Sequence, residues 1–190
     1  METRALETLK TILKYRGIED VGYESVSAPL ADTHMYLYGG VLVVFSEKAR
    51  VSDKDLQSVI EYAEKNGYNN GIIIVSDSRP STAVLSRLRR YVAHPEYPLV
   101  QIFELRHLQF DISLHRKVPT HRIIQQDELD AVLKEFHASG PQQFPKIDCQ
   151  DAMARWIGAR PGNVIEVLGL CEASGNNRRY RLCVEDVTNA

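Results

Sequence analysis

The sequence predicts an α/β (α+β) protein built of two compact parts, and three observations carry that expectation. Short β-branched runs at residues 41–45 and 71–75 alternate with segments of helical periodicity, which implies helices packed on a small sheet. Beyond residue 140 the pattern changes to two strand candidates around a polar, turn-rich loop. No internal repeat links the two patterns, and a boundary near residues 106–112 divides the chain into 1–108 and 109–190.

Leu6, Leu9, Ile12 and Leu13 recur at helical spacing, and Gly17 follows as a stop, so residues 2–16 read as an amphipathic helix. Residues 41–45 form the first strand. Ser52 with Asp55 three positions on is a capping pattern opening a second helix, with Leu56, Val59, Ile60 and Ala63 on one face and Gly67 at its end. Residues 71–75 form the next strand. After a turn at 77–80, Ala83, Val84, Leu85 and Leu88 mark a third helix ending near Val92, and 99–105 supplies a further strand. Leu129, Val132, Leu133 and Phe136 share a helical face, broken by the linker Gly140-Pro141-Gln142-Gln143. Asp148 or Asp151 can cap a helix carrying Met153, Trp156 and Ile157, which Gly158 ends. Residues 160–162 form a turn, and strands at 164–168 and 180–184 flank the loop 173–177 as a C-terminal hairpin.

Composition excludes several classes. A net charge of -2 argues against a free-standing nucleic-acid coat, whose affinity would rest on phosphate neutralisation. Cys149, Cys171 and Cys183 are widely spaced and lack any C-x-x-C pair, so reduced thiols in an intracellular protein are expected, without a zinc or redox motif. Residues 1–7 carry Glu2, Arg4 and Glu7 and do not form a secretory apolar core, and no run approaches the length of a membrane span.

The search for chemistry returns no G-x-S-x-G, P-loop, H-E-x-x-H or G-x-G-x-x-G pattern. No catalytic residue, metal ligand set or cofactor is assigned. A metal-dependent nuclease needs carboxylates at adjacent strand ends with a lysine nearby; Glu47-Lys48 and Asp77 are the best available set, and solvated loop charges are their simpler account.

Specific signals begin at residue 99. Leu99-Val100-Gln101-Ile102-Phe103-Glu104, then residues 110–121, resemble the strand and the N-I-T-x-H-x-L-V-P-x-H segment of the fifth-largest subunit of eukaryotic-type RNA polymerases, a family whose C-terminal half is shared by archaea. Phe144-Pro145-Lys146-Ile147 is similar to its L-P-R-I, residues 151–162 to its D-P-V-A-x-Y-x-G-L-K-R-G, and Glu172-Ala173-Ser174-Gly175 through Tyr180-Arg181 to its E-T-S-G…Y-R. The first half is similar to the family's jaw domain through residues 13–17 (helix ending in D-R-G), through 71–75, and through Ser78-Arg79-Pro80-Ser81-Thr82, near its T-P-S-A. Ala152 stands for the proline of D-P, and Pro161-Gly162 for R-G. These departures point to a divergent lineage, eukaryotic or that of a large DNA virus.

The resemblance implies a non-catalytic polymerase subunit. A jaw (1–108), with helices on a small mixed sheet in a restriction-nuclease-like arrangement, would lie beside downstream double-stranded DNA. An α+β assembly domain (109–190) would dock on the largest subunit and join other polymerase subunits. Backbone contact without sequence readout is expected from Arg79, Pro80, Ser81, Arg87 and Arg90, because a helix start and a basic face favour phosphate. Assembly is expected of His115, Arg116, Lys117, Pro119, His121, Pro145, Ile147, Trp156, Arg160 and Gly162; Trp156 and Ile147 are large apolar groups suited to a core or an interface. The expected location is the polymerase complex, nuclear in a cell, or in the virion or infected-cell cytoplasm or nucleus for a virus. Two rival classes remain open: a cryptic nuclease on Glu47 and Asp77, and a stand-alone transcription adaptor.

Overall fold

The computed structural model describes residues 1–26, 30–171 and 175–187, and the chain separates into two compact units, Met1–Asp111 and Ile112–Ala190. Glu172, Ala173 and Ser174, which carry part of the resemblance, lie outside the described residues, as does the side chain of Cys171.

In the first unit, helix α1 (Glu2–Tyr15) buries Ala5, Leu9, Ile12 and Leu13. Its end is closed by hydrogen bonds from the N–H of Ile18 to the Leu13 carbonyl (3.0 Å) and from that of Gly17 to Lys14 (2.9 Å), the paired bonds of a Schellman stop. Strands β1 (Glu24–Ser25), β2 (Thr33–Tyr38), β3 (Val41–Ser46), β4 (Ile72–Ser76) and β5 (Val100–Glu104) lie side by side in that order. The first three are antiparallel, while β3, β4 and β5 are parallel. Parallel strands need crossovers, supplied by α2 (Asp53–Asn66) and α3 (Thr82–Ala93).

Alternation along the strands sorts the side chains. Leu42, Val44, Ile72, Ile74, Val100 and Ile102 meet Leu56, Val59 and Ala63 of α2 and Val84, Leu88 and Val92 of α3. The other face is covered by α1: Tyr36 donates to Glu2 Oε1 (3.0 Å), Tyr23 to the Leu6 carbonyl (2.9 Å), and Arg16 Nη2 to Gln101 Oε1 (2.6 Å). Both faces are therefore packed, and β4 and β5 are buried along their whole length. Arg16 is half-exposed as a residue, but its guanidinium end is buried, which lowers its pKa to about 10.

The Ser52–Asp55 capping box expected at the start of α2 is present in both directions. Strand β2 is an addition to the elements that the sequence predicts. It joins β3 through Gly39-Gly40, both left-handed (φ 54° and 80°), the backbone that a two-residue hairpin turn requires.

The second unit carries a four-stranded sheet of β6 (Thr120–Ile123), β7 (Lys146–Asp148), β8 (Val164–Cys171) and β9 (Gly175–Val184), in the order β6-β8-β9-β7. β8 and β9 pair as an antiparallel hairpin, β6 adds antiparallel to β8, and β7 runs parallel to β9. Helix α4 (Gln126–Glu135) packs Leu129, Val132 and Leu133 against Ile124, Phe144, Val164 and Tyr180. The short α5 (Ala152–Ile157) is capped by Asp151, which accepts from Met153 (2.9 Å) and Ala154 (3.3 Å), and buries Met153, Trp156 and Ile157. The linker expected at 140–143 is instead ordered as a single 3-10 turn, Pro141–Gln143. The result is a mixed α+β protein with two mixed sheets, as the sequence predicts.

Candidate interaction surfaces

The segment that opens the second unit folds as consecutive tight turns. A 3-10 turn at Ile112–Leu114 is followed by hydrogen bonds from the N–H of His115 to the Ile112 carbonyl (3.2 Å) and from Val118 to His115 (2.8 Å). The Lys117 N–H also donates to His115 Nδ1 at 3.3 Å. These bonds fix a short apolar-basic projection: Leu114 is 82% exposed, and His115, Arg116 and Lys117 are exposed beside it. A leucine this exposed on ordered backbone gains nothing within its own unit. Pro119 leads into β6, where Thr120 pairs with Leu168, a second exposed apolar residue.

The other residues singled out for assembly divide by burial. Trp156, Ile147 and His121 are interior to the unit, and His121 Nδ1 sits 2.7 Å from the Pro119 carbonyl. Pro145 is exposed, while its carbonyl accepts from the Leu182 N–H at 2.9 Å. Arg160 and Gly162 belong to a turn pinned by Arg160 N–H to Asn163 Oδ1 (2.8 Å) and by Gly162 N–H to the Cys183 carbonyl (2.9 Å).

A polar network that sequence reasoning missed ties three strands of this unit to α4. Arg122, Glu166 and Tyr180 are register partners across β6, β8 and β9. Arg122 Nε donates to Glu166 Oε2 (2.7 Å), Tyr180 donates to Glu166 Oε1 (3.1 Å), and Arg122 Nη1 reaches both oxygens of Glu128 on α4 (2.9 and 2.8 Å). Arg178 Nε adds a longer contact to Glu166 at 3.4 Å. The hydrogen bonds to Glu128 and then Glu166 raise the pKa of Arg122, and burial followed by the bond to Glu166 raises that of Tyr180. Nothing in spacing alone brings residues 122, 166 and 180 together; the strand pairing does.

In the first unit, α3 starts at the end of β4. Arg79 is exposed, Pro80 is buried, and the Ser81 hydroxyl accepts from the Val84 N–H at 3.3 Å as the cap. Arg90 is exposed and donates to the Ser86 carbonyl (3.4 Å). Arg87 forms an ion pair with Asp53 and a weaker bond to Gln57 Oε1 (3.4 Å), bridging α3 to α2. It is half-buried, whereas Arg79 and Arg90 are exposed.

Glu47 and Asp77 line one cleft of about 270 Å³ at the carboxyl ends of β3 and β4, with Phe45, Ala49, Val75 and Leu105. Among the described residues no group of three or more His, Cys, Asp or Glu is arranged to hold a metal ion. Cys149 and Cys183 are buried free thiols, and burial together with the neighbouring Cys149, Asp148 and Asp151 pushes Cys183 up to about 12, which disfavours its thiolate. No helix of the described residues is long and apolar enough to cross a membrane.

Comparison with known proteins places this small α+β unit in a class, that of RNA polymerase subunits. Residues 110–183 match the family RNA polymerase Rpb5, C-terminal domain. The DNA-directed RNA polymerase subunit Rpo5 of Pyrococcus abyssi is 36% identical over 78 residues, which span 41% of this chain and 94% of the relative. Its counterpart in Thermococcus onnurineus matches to the same extent. The DNA-directed RNA polymerases I, II, and III subunit RPABC1 of Caenorhabditis elegans is 25% identical over 146 residues, 76% of this chain and 66% of that protein. The chain belongs to the Rpb5 family of RNA polymerase subunits. The worm match is longer than the second unit and so extends into the first.

Proposed function

We propose that this chain is a non-catalytic subunit of a DNA-directed RNA polymerase, with residues 109–190 docking on the largest subunit. The observation that carries the reading is the coincidence of the family match, residues 110–183, with a compact unit presenting Leu114, His115, Arg116 and Lys117. Such a projection sets one large exposed apolar group beside the cations Arg116 and Lys117, and covering that leucine with a partner removes apolar surface from water. Residues 1–108 act as a jaw beside downstream DNA. Arg79 and Arg90 neutralise backbone phosphates there, and the start of α3, with Pro80 and Ser81, orients them without reading sequence. The chain therefore works in the polymerase complex, in a nucleus or a virus-infected cell. The extension of the worm match into the first unit supports a eukaryotic or eukaryote-infecting viral source.

Affinity purification of the chain at native level tests the assembly claim: the two largest polymerase subunits should co-purify in equal amounts, and recovery as a free monomer refutes it. For the jaw, Arg79→Ala with Arg90→Ala should weaken retention of DNA by the assembled polymerase. It should also flatten the salt dependence by a slope of about 0.9 per phosphate lost. An unchanged slope removes the DNA contact and leaves the assembly reading intact.

A further inference from the structure

We propose that the cleft at the carboxyl ends of β3 and β4 is a docking pocket for an arginine side chain of a protein partner. The lining is mixed: Phe45 and Val75, the penultimate residues of their strands, give it with Ala49 and Leu105 an apolar floor, and Ser46 and Ser76 stand among them. The rim is acidic. Glu47 and Asp77 each follow directly on the last residue of adjacent parallel strands, and both are exposed. Adjacent strands lie about 4.8 Å apart, a spacing that a planar guanidinium fork can bridge by donating to both carboxylates. Its three-carbon stem would rest on the apolar floor.

Other occupants fit less well. A divalent cation wants several oxygen ligands. The next carboxylate along the strand ends, Glu104, is tied to Arg106 at 2.7 Å and lies 3.9 Å from His107. An anion would be drawn to the two helix starts at this end of the sheet. Within the cleft itself, the rim charges of Glu47 and Asp77 would repel it. Of the nearby cations, Lys48 is held by Asp55 at 2.8 Å, and Arg50 and Arg79 are outside the lining. Glu47 does spend Oε1 on His34 Nε2 at 3.3 Å, but that imidazole is half-exposed and leaves the second oxygen for a ligand.

The pocket lies wholly in the first unit and is independent of docking by the second and of the arginines on α3. Amide chemical shifts of the full chain, titrated with the capped tripeptide Gly-Arg-Gly, test it. Saturable shifts should centre on Phe45, Glu47, Ala49, Ser76, Asp77 and Leu105. Glu47→Gln and Asp77→Asn, surface changes that keep the remaining spectrum, should each weaken binding roughly tenfold, since a hydrogen bond to a charged group is lost. The matched citrulline tripeptide, which lacks the charge, should leave those amides unmoved. Equal response to citrulline, equal affinity for the lysine tripeptide, magnesium chloride moving the same amides, or no saturable shift with the arginine peptide would each overturn the proposal.

Discussion

Glu166 offers the sharpest test of how the second unit is held together. It is buried at the middle of the sheet, and Glu166→Ala removes the acceptor of both Arg122 and Tyr180. The two losses are unequal. Tyr180 is buried beside Phe136 and Phe144, with ring centroids 5.5 and 5.8 Å away, and although Arg178 still donates to its oxygen, its own proton is left without an acceptor, at a cost of about 1–3 kcal/mol. Arg122 is about half exposed, with a side-chain accessibility of 46%, and keeps its two bonds to Glu128, so screening limits its loss to about 0.2–1 kcal/mol. The sum is about 1–4 kcal/mol, or roughly 5–30 °C for a unit of this size. Trp156 is the chain's single tryptophan and is buried in this unit, so its fluorescence during urea unfolding reports on the second unit alone. Adding Tyr180→Phe to Glu166→Ala should restore about 1 kcal/mol, because the stranded hydroxyl is gone. A loss below about 0.5 kcal/mol for Glu166→Ala, or strict additivity of the pair, would refute the assignment of this network as the unit's polar clamp.

Three further outcomes follow from other parts of the molecule. Burial draws the pKa of Asp55 upward, but hydrogen bonds from Lys48 and Ser52 outweigh it and hold the group at about 2. Its contribution to stability is therefore present above the ordinary value of 3.8 and is lost as pH falls through about 2. Asp55→Asn should cost about 1 kcal/mol near neutrality and flatten the acid limb of a stability-against-pH curve in that window. Gly39→Ala should destabilise the first unit by about 1–2 kcal/mol in chemical unfolding, because the residue is left-handed and a Cβ there would collide with Ile18 Cγ2. Leu114→Glu should abolish co-purification with the largest polymerase subunit while leaving the melting temperature of the isolated chain unchanged, since the side chain is 82% exposed.

How much of the fold is legible in the sequence depends on whether the information is local. The runs at 41–45 and 71–75 are buried on both faces, so they are unbroken in sequence and easily read as strands. Helix ends are legible for the same reason: Ser52, Gly67, Asp151 and Gly158 act within one turn of themselves. Strand β2 escapes because its burial is irregular and its residues Thr33, His34 and Tyr36 are only partly covered, although Gly39-Gly40 is a hairpin signal in plain view. Strand β6 escapes because it is short and mixed in burial, so no alternation marks it. On the surfaces, Arg79 falls just before the cap of α3 and Arg87 and Arg90 fall within that helix, as the sequence places them. The pairing of Arg87 with Asp53 joins two helices and leaves no trace in spacing.

The order of strands in the second sheet also constrains how the protein is made. β9 lies between β8 and β7, yet it is the last of the four to leave the ribosome. β7 finds no partner until then, and β8 is paired on one side only. The first sheet, by contrast, is complete once residue 104 has emerged. Synthesis is therefore expected to deliver a folded first unit tethered to an unfinished second one, as N-terminal domains generally fold first. Chains interrupted before Gly175 would carry an intact first unit and no competent second unit. If docking resides in the second unit, such fragments are kept out of the polymerase by topology alone.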